Sequence, residues 1–125
     1  MDIILEHKLL DTYKELFEPD EIRLDETKSC MAWGFECRNG WFDIIDKAFS
    51  KLILLENKPI IVQVKEKFGT LRIYADNTSD ESYKIISEAE TASETTCEVC
   101  GKSGATISRH QGWISTLCEE HRKKI

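Results

Sequence analysis

The chain has 125 residues, 41% apolar and 32% charged, with a formal net charge of −6. That is the length of one domain with one modest core, and too apolar a mixture for a disordered tail. No apolar run nears the ~20 residues that cross a bilayer, and the N-terminus MDIILEHKLL is too acidic for a signal peptide.

Five Cys cannot all close into disulfides, which points to a reducing, cytoplasmic setting with no membrane partner. The charge is unevenly spread: residues 1–36 hold ten acids and four bases, whereas 97–125 hold three acids and five bases. A wholly basic nucleic-acid binder is excluded, but a local cationic site is not.

The first eighteen residues read as an amphipathic helix, with Leu5, Leu9, Tyr13, Leu16 and Phe17 on one stripe and Pro19 as its stop. From Lys28 to Cys37 the residues alternate, which predicts a strand with Met31, Trp33, Phe35 and Cys37 on one side. Arg38-Asn39-Gly40 breaks the chain, with Asn39 placed to cap the next helix. Trp41, Ile44, Ile45, Ala48, Phe49, Leu52 and Leu55 then make the broad stripe expected of the main core helix.

PIIVQVKEKFGTLRIYAD reads as two strands around a Gly69-Thr70 turn, pairing Phe68 with Leu71, Lys67 with Arg72 and Lys65 with Tyr74. A helix from about 81 to 94 follows, with Tyr83, Ile86 and Ala89 inward, and 91–96 reads as a short linker. The expected fold class is α+β: a short antiparallel sheet with covering helices over 1–94. A C-terminal module, treble-clef or zinc-ribbon-like, occupies 95–125 and packs against it.

The strongest chemical signal is Cys97-Glu-Val-Cys100-Gly, separated by seventeen residues from Cys118-Glu-Glu-His121. A Cys-x-x-Cys turn brings two thiolates to one point, and tetrahedral Zn²⁺ takes four such soft or borderline ligands. Ala105–His110 and Trp113–Leu117 can form a hairpin turning at Gln111-Gly112, with Cys118 and His121 on the first turn of a terminal helix. Knuckle, hairpin and helix in that order is the treble-clef layout. The alternative, a redox Cys-x-x-Cys, leaves the equal spacing of the second pair unexplained. Four protein ligands make the zinc structural. A nuclease on this frame needs further metal ligands among the seventeen residues, and they hold no acid and no His besides His110. His110 therefore reads as a surface residue.

Strand parity puts Gln63, Lys65, Lys67, Arg72 and Tyr74 on one face, and Val62, Val64, Phe68, Leu71, Ile73 and Ala75 on the other. Like charges across a strand pair destabilise a sheet unless something offsets them. Acids of the first helix would, and so would an anionic ligand: Arg clamps phosphate, Lys adds point charge and Tyr stacks. The alternative is a solvated face whose lysines discourage strand pairing. Trp33 or Trp41 beside this face would suit a nucleobase, with Glu36 accepting from base amino groups. Cys30 and Cys37 lack metal spacing and read as buried thiols.

The blocks CMAWGFECRNGWFDII, QVKEKFGTLRIY and CEVCG…GWISTLCEEH, over about residues 29–121, resemble a group of uncharacterised small proteins encoded by bacteriophages and prophages. Arg38-Asn39 departs from that group, where an acidic Gly-Asp type of turn is expected. The resemblance implies a phage setting and a zinc module but no reaction. The chain thus reads as a non-enzymatic viral protein that binds zinc and a small anionic ligand, a nucleotide such as a host defence signal. Two alternatives are an inhibitor or adaptor acting on a host protein, and nucleic-acid binding through Lys102, Arg109, Arg122, Lys123 and Lys124.

Overall fold

The computed structural model describes residues 1–124, and the fold mixes helices with two small sheets. Helix α1 (Ile3–Thr12) starts at an Asp2 cap and ends earlier than the apolar stripe predicts. The chain turns there through a 3₁₀ segment (Lys14–Leu16), which carries Tyr13, Leu16 and Phe17 into the core. Pro19 both ends this stretch and precedes α2 (Asp20–Arg23).

The strand expected from Lys28 is only two residues long, β1 (Phe35–Glu36). Ser29 accepts a hydrogen bond from the Met31 amide at 3.1 Å and starts a 3₁₀ turn over Cys30–Trp33 instead. Met31, Phe35 and Cys37 still turn inward, but Trp33 is 64% exposed, and Cys30, at the start of the turn, is exposed rather than buried. Asn39 is not a helix cap; its side chain accepts from the Asp2 amide at 2.7 Å. Trp41 occupies the cap position of α3 (Phe42–Leu52), which buries Ile45, Ala48, Phe49 and Leu52 as its stripe requires.

Strands β2 (Ile60–Lys67) and β3 (Thr70–Asp76) form the predicted hairpin in a different register. The two loop residues are Phe68 and Gly69, at φ 53° and 85°, so Lys67 pairs with Thr70, Lys65 with Arg72 and Gln63 with Tyr74. A two-residue turn of this hand needs positive φ at both positions, and glycine serves best in the second. Glu66 Oε2 accepts from the Gly69 amide at 2.8 Å and helps to hold Phe68 in its unfavourable conformation. Because the pairing moves by a whole pleat repeat, Lys65, Lys67, Arg72 and Tyr74 keep a common face. Phe68 instead leaves the apolar face for solvent. A bulge at Val62 makes a second correction, since it puts Ile61 rather than Val62 in the core.

The sheet is mixed, not antiparallel throughout: β1 lies parallel to β2, with Glu36 opposite Lys65, and the order is β1-β2-β3. Both edges meet side chains. Glu6 Oε1 accepts from the Phe35 amide, while Ser93 Oγ and Glu90 Oε2 accept from Leu71 and Ile73. The last two belong to α4 (Asp80–Ser93), which a Ser79/Ser82 capping box opens. Its inward stripe is Ser82, Ile86, Ala89 and Ser93, so Tyr83, one residue off that stripe, is exposed rather than inward. The expected linker begins only after Ser93.

One core unites these elements, with Tyr13, Phe17 and Phe35 around Phe49. Beyond it, β4 (Thr106–His110) and β5 (Trp113–Leu117) pair as the predicted hairpin about Gln111-Gly112. Helix α5 (Glu119–Arg122) follows, with Cys118 at its cap.

Candidate metal centre and cationic sheet face

Cys97, Cys100, Cys118 and His121 converge so that their ligand atoms all lie within 4.8 Å of one another, a group that could hold a metal ion. Cys100 Sγ stands 3.8 Å from Cys118 Sγ, and His121 Nδ1 stands 3.7 Å from Cys97 Sγ and 3.1 Å from Cys118 Sγ. The Cys97–Cys100 knuckle closes through the Gly101 amide on Cys97 O, and the start of α5 brings Cys118 and His121 together three residues apart. Burial raises the Cys97 thiol, but amides of Cys118, Cys100 and Val99 aimed at its sulfur outweigh burial and bring it down to about 6. At Cys100 the Lys102 amide pulls down, yet burial and the neighbouring Cys97 and Cys118 leave the thiol raised.

This centre is joined to the body by buried polar contacts. The Gly40 amide donates to Glu98 O at 2.7 Å, and a Cβ on Gly40 would collide with the Cys97 and Glu98 carbonyls. The Arg38 amide donates to the buried Glu98 carboxylate, and Trp41 Nε1 donates to Thr96 O at 2.9 Å. From β5, fully buried Thr116 donates through Oγ1 to Gly69 O at 2.6 Å, while its own carbonyl accepts from Glu98 N. The turn between β2 and β3 is therefore bonded to the strand that leads into Cys118.

The predicted cationic face is partly assembled. Lys67, Arg72 and Tyr74 line one cavity of about 540 Å³ at the outer edge of β3, together with Phe68, Tyr83 and Glu90. Lys65 lies directly across from Arg72 and is half-buried, but it does not line this cavity. Among the described residues none of the three cations forms an ion pair, and the Arg72 Nε is buried with no hydrogen-bond partner. Lys67 Nζ sits 5.7 Å from the Phe68 ring centroid. Glu90 brings one carboxylate to the cavity lining, and its Oε2 accepts from the Ile73 amide at 3.0 Å.

The expected aromatic partners do not join this face. Trp41 is fully buried, with its indole N–H on Thr96, and cannot stack on a ligand. Trp33 is exposed but lines no part of the cavity. Glu36 sits beside Lys65 and takes the Gln63 amide at 3.4 Å. Besides the predicted Tyr74, the rings that share the cavity with Arg72 are Phe68 and Tyr83, both assigned inward by pattern alone. The glycine's place in the turn marks Phe68, and the Ser79–Ser82 cap fixes the phase that turns Tyr83 outward. Of the cations considered for nucleic acid, Lys123 and Lys124 pair with Glu119 and Glu120, and Arg122 donates to Thr106.

No protein-family model, curated protein or solved structure matches this chain. No helix among the described residues is long and apolar enough to cross a membrane.

Proposed function

We propose that the protein is a non-enzymatic, zinc-stabilised binding protein that holds a small phosphate-bearing ligand, a nucleotide, beside β3. Zn–S bonds of about 2.3 Å give tetrahedral edges near 3.8 Å, and soft thiolate with imidazole donors suit zinc over harder cations. The Cys100–Cys118 separation of 3.8 Å and the Cys97–His121 separation of 3.7 Å agree with that size. Knuckle, hairpin and terminal helix follow in treble-clef order. Four protein ligands would leave zinc no open position, so its contribution is to hold the segment folded.

The ligand reading is carried by one observation: Lys67 and Arg72, without carboxylate partners, share a cavity with three exposed rings, Phe68, Tyr74 and Tyr83. Unpaired cations beside aromatic faces fit a phosphate joined to a planar base. In the phage setting that the sequence blocks imply, a defence-signalling nucleotide in the host cytoplasm is a ligand of this class. A thermal-shift screen against cyclic and linear nucleotides tests the reading. At least one nucleotide is expected to raise the melting temperature of the wild type but not of Lys67→Ala/Arg72→Ala. No shift with any nucleotide, or equal shifts in both proteins, contradicts it.

A second reading, an adaptor or inhibitor on a host protein, is supported by Ile3 and Ile4, exposed on the acidic first helix. A partner captured from host lysate by wild type but not by Ile3→Asp/Ile4→Asp would favour it.

A further inference from the structure

A second concave site is lined by residues that are all different from those of the β3 cavity. One face of the β4–β5 hairpin carries the cross-strand pairs His110–Trp113 and Ser108–Ser115. Arg38, from the loop before α3, stands against this face, and the five residues line a cleft of about 280 Å³. Its lining includes no carboxylate, in a protein whose net charge is −6.

Each group is available. Trp113 is 77% exposed, and Arg38 is not stacked on its indole, so a ring face is open. Arg38 forms no ion pair among the described residues. Ser108 and Ser115 add hydroxyl donors and His110 a ring nitrogen. The frame is rigid: Gln111 and Gly112 hold a tight turn at φ 49° and 86°, and the Arg38 amide is tied to Glu98. The exposed indole, the guanidinium and the two hydroxyls converge on one small space. A planar base on the indole, with its phosphate toward Arg38 and the hydroxyls, satisfies all of them. The volume suits one small ligand and not a polymer.

We infer that the cleft between Arg38 and the β4–β5 hairpin binds a nucleoside monophosphate. The site shares no residue with the β3 cavity, so the two can fail separately.

Calorimetric titration of the zinc-loaded full chain with each of the four ribonucleoside 5′-monophosphates tests it. At least one should bind. Arg38→Ala and Trp113→Ala should each weaken that binding about tenfold or more, Trp113→Phe should weaken it less, and Lys67→Ala/Arg72→Ala should leave it unchanged. Inorganic phosphate alone and the matching nucleoside alone should each bind more weakly than the monophosphate. Melting temperatures separate misfolding from lost contacts. If Trp113→Ala melts early, the Trp113→Phe and Arg38→Lys variants decide, with binding expected to stay nearer wild type in both than in Arg38→Ala. The inference is overturned if no monophosphate binds, if folded Arg38→Ala binds like wild type, or if folded Lys67→Ala/Arg72→Ala loses the binding. It is also overturned if a single-stranded oligonucleotide binds and none of the monophosphates does.

Discussion

Up to Ser93 the chain buries Leu9, Leu16, Trp41, Phe49, Leu52, Leu71 and their neighbours in one continuous core. Beyond Thr96 the buried apolar set is Ala105, Leu117 and the cysteines Cys97 and Cys118, with Val99 against them. Leu117 is the one large aliphatic side chain fully buried in the second region, so apolar burial contributes far less per residue there than in the first. What the second region has instead is a cluster of four side chains able to hold a metal ion, and hydrogen bonds to the first region through Gly40, Trp41 and Gly69. Two modes of stabilisation thus meet at the knuckle, and they should respond to different perturbations.

The largest expected effect is chelation. Zinc in small metal modules supplies folding energy on the order of 10 kcal/mol, far more than Ala105 and Leu117 can replace. Stripping the metal should abolish hydrogen-exchange protection across Thr106–Leu117 while Ile45–Leu52 stays protected. Equal loss in both regions would mean that the body needs the metal too. Conversely, Phe49→Ala should cost about 3–5 kcal/mol in denaturant unfolding, because its ring meets Tyr13, Phe17 and Phe35. Its zinc affinity, read by competition with a chelating dye, should stay within a few fold of wild type.

A pH series distinguishes the regions again. Burial, with a smaller push from Glu98, raises the Cys37 thiol from 9.0 to about 12. Burial and Asp46 likewise raise the Tyr13 hydroxyl from 10.0 to about 12. Both groups stay neutral in the folded body after the unfolded chain would ionise. Their stability is complete below pH 9 and is lost as pH rises toward 12, by at most ~4 kcal/mol for Cys37. Cys37→Ala should flatten the alkaline fall in melting temperature; an unchanged slope would remove this thiol as its cause. The smallest effect belongs to the joint between the regions. Thr116→Val leaves the Gly69 carbonyl without its buried donor and should cost about 1–2 kcal/mol. It should also increase exchange at Phe68 and Gly69 more than in α3. Exchange raised equally throughout would mean that Thr116 acts on global stability alone.

The convergence of Cys97, Cys100, Cys118 and His121 was legible, because spacing within each Cys/His pair is a local property that a turn and a helix start reproduce. The core helix and both hairpins were legible for the same reason, since periodicity and turn residues act over a few positions. The register of β2 against β3 was missed by one loop position. Glycine's preference for the second loop site, with Glu66 and Thr116 supporting the turn, outweighed the cost of a positive φ at Phe68. The bulge at Val62 exchanged the inward residue, which strict alternation cannot anticipate. Trp33 and Trp41 have similar local settings, yet one is exposed and the other lies at the centre. The difference is tertiary: the close approach at Gly40 places the Trp41 indole against Thr96. Arg38 and the hairpin face are far apart in sequence, so nothing local marks their cleft.

The most direct test of this account is native mass spectrometry of the purified full chain beside Cys100→Ser, with thiol labelling of each. Wild type should carry one zinc ion per chain. Exposed Cys30 should label readily while Cys97, Cys100 and Cys118 are protected until chelator is added, and Cys100→Ser should lose both the ion and the protection. A metal-free wild-type chain whose Cys97, Cys100 and Cys118 label as fast as Cys30 would contradict the zinc centre, and with it the explanation for how the C-terminal segment stays folded.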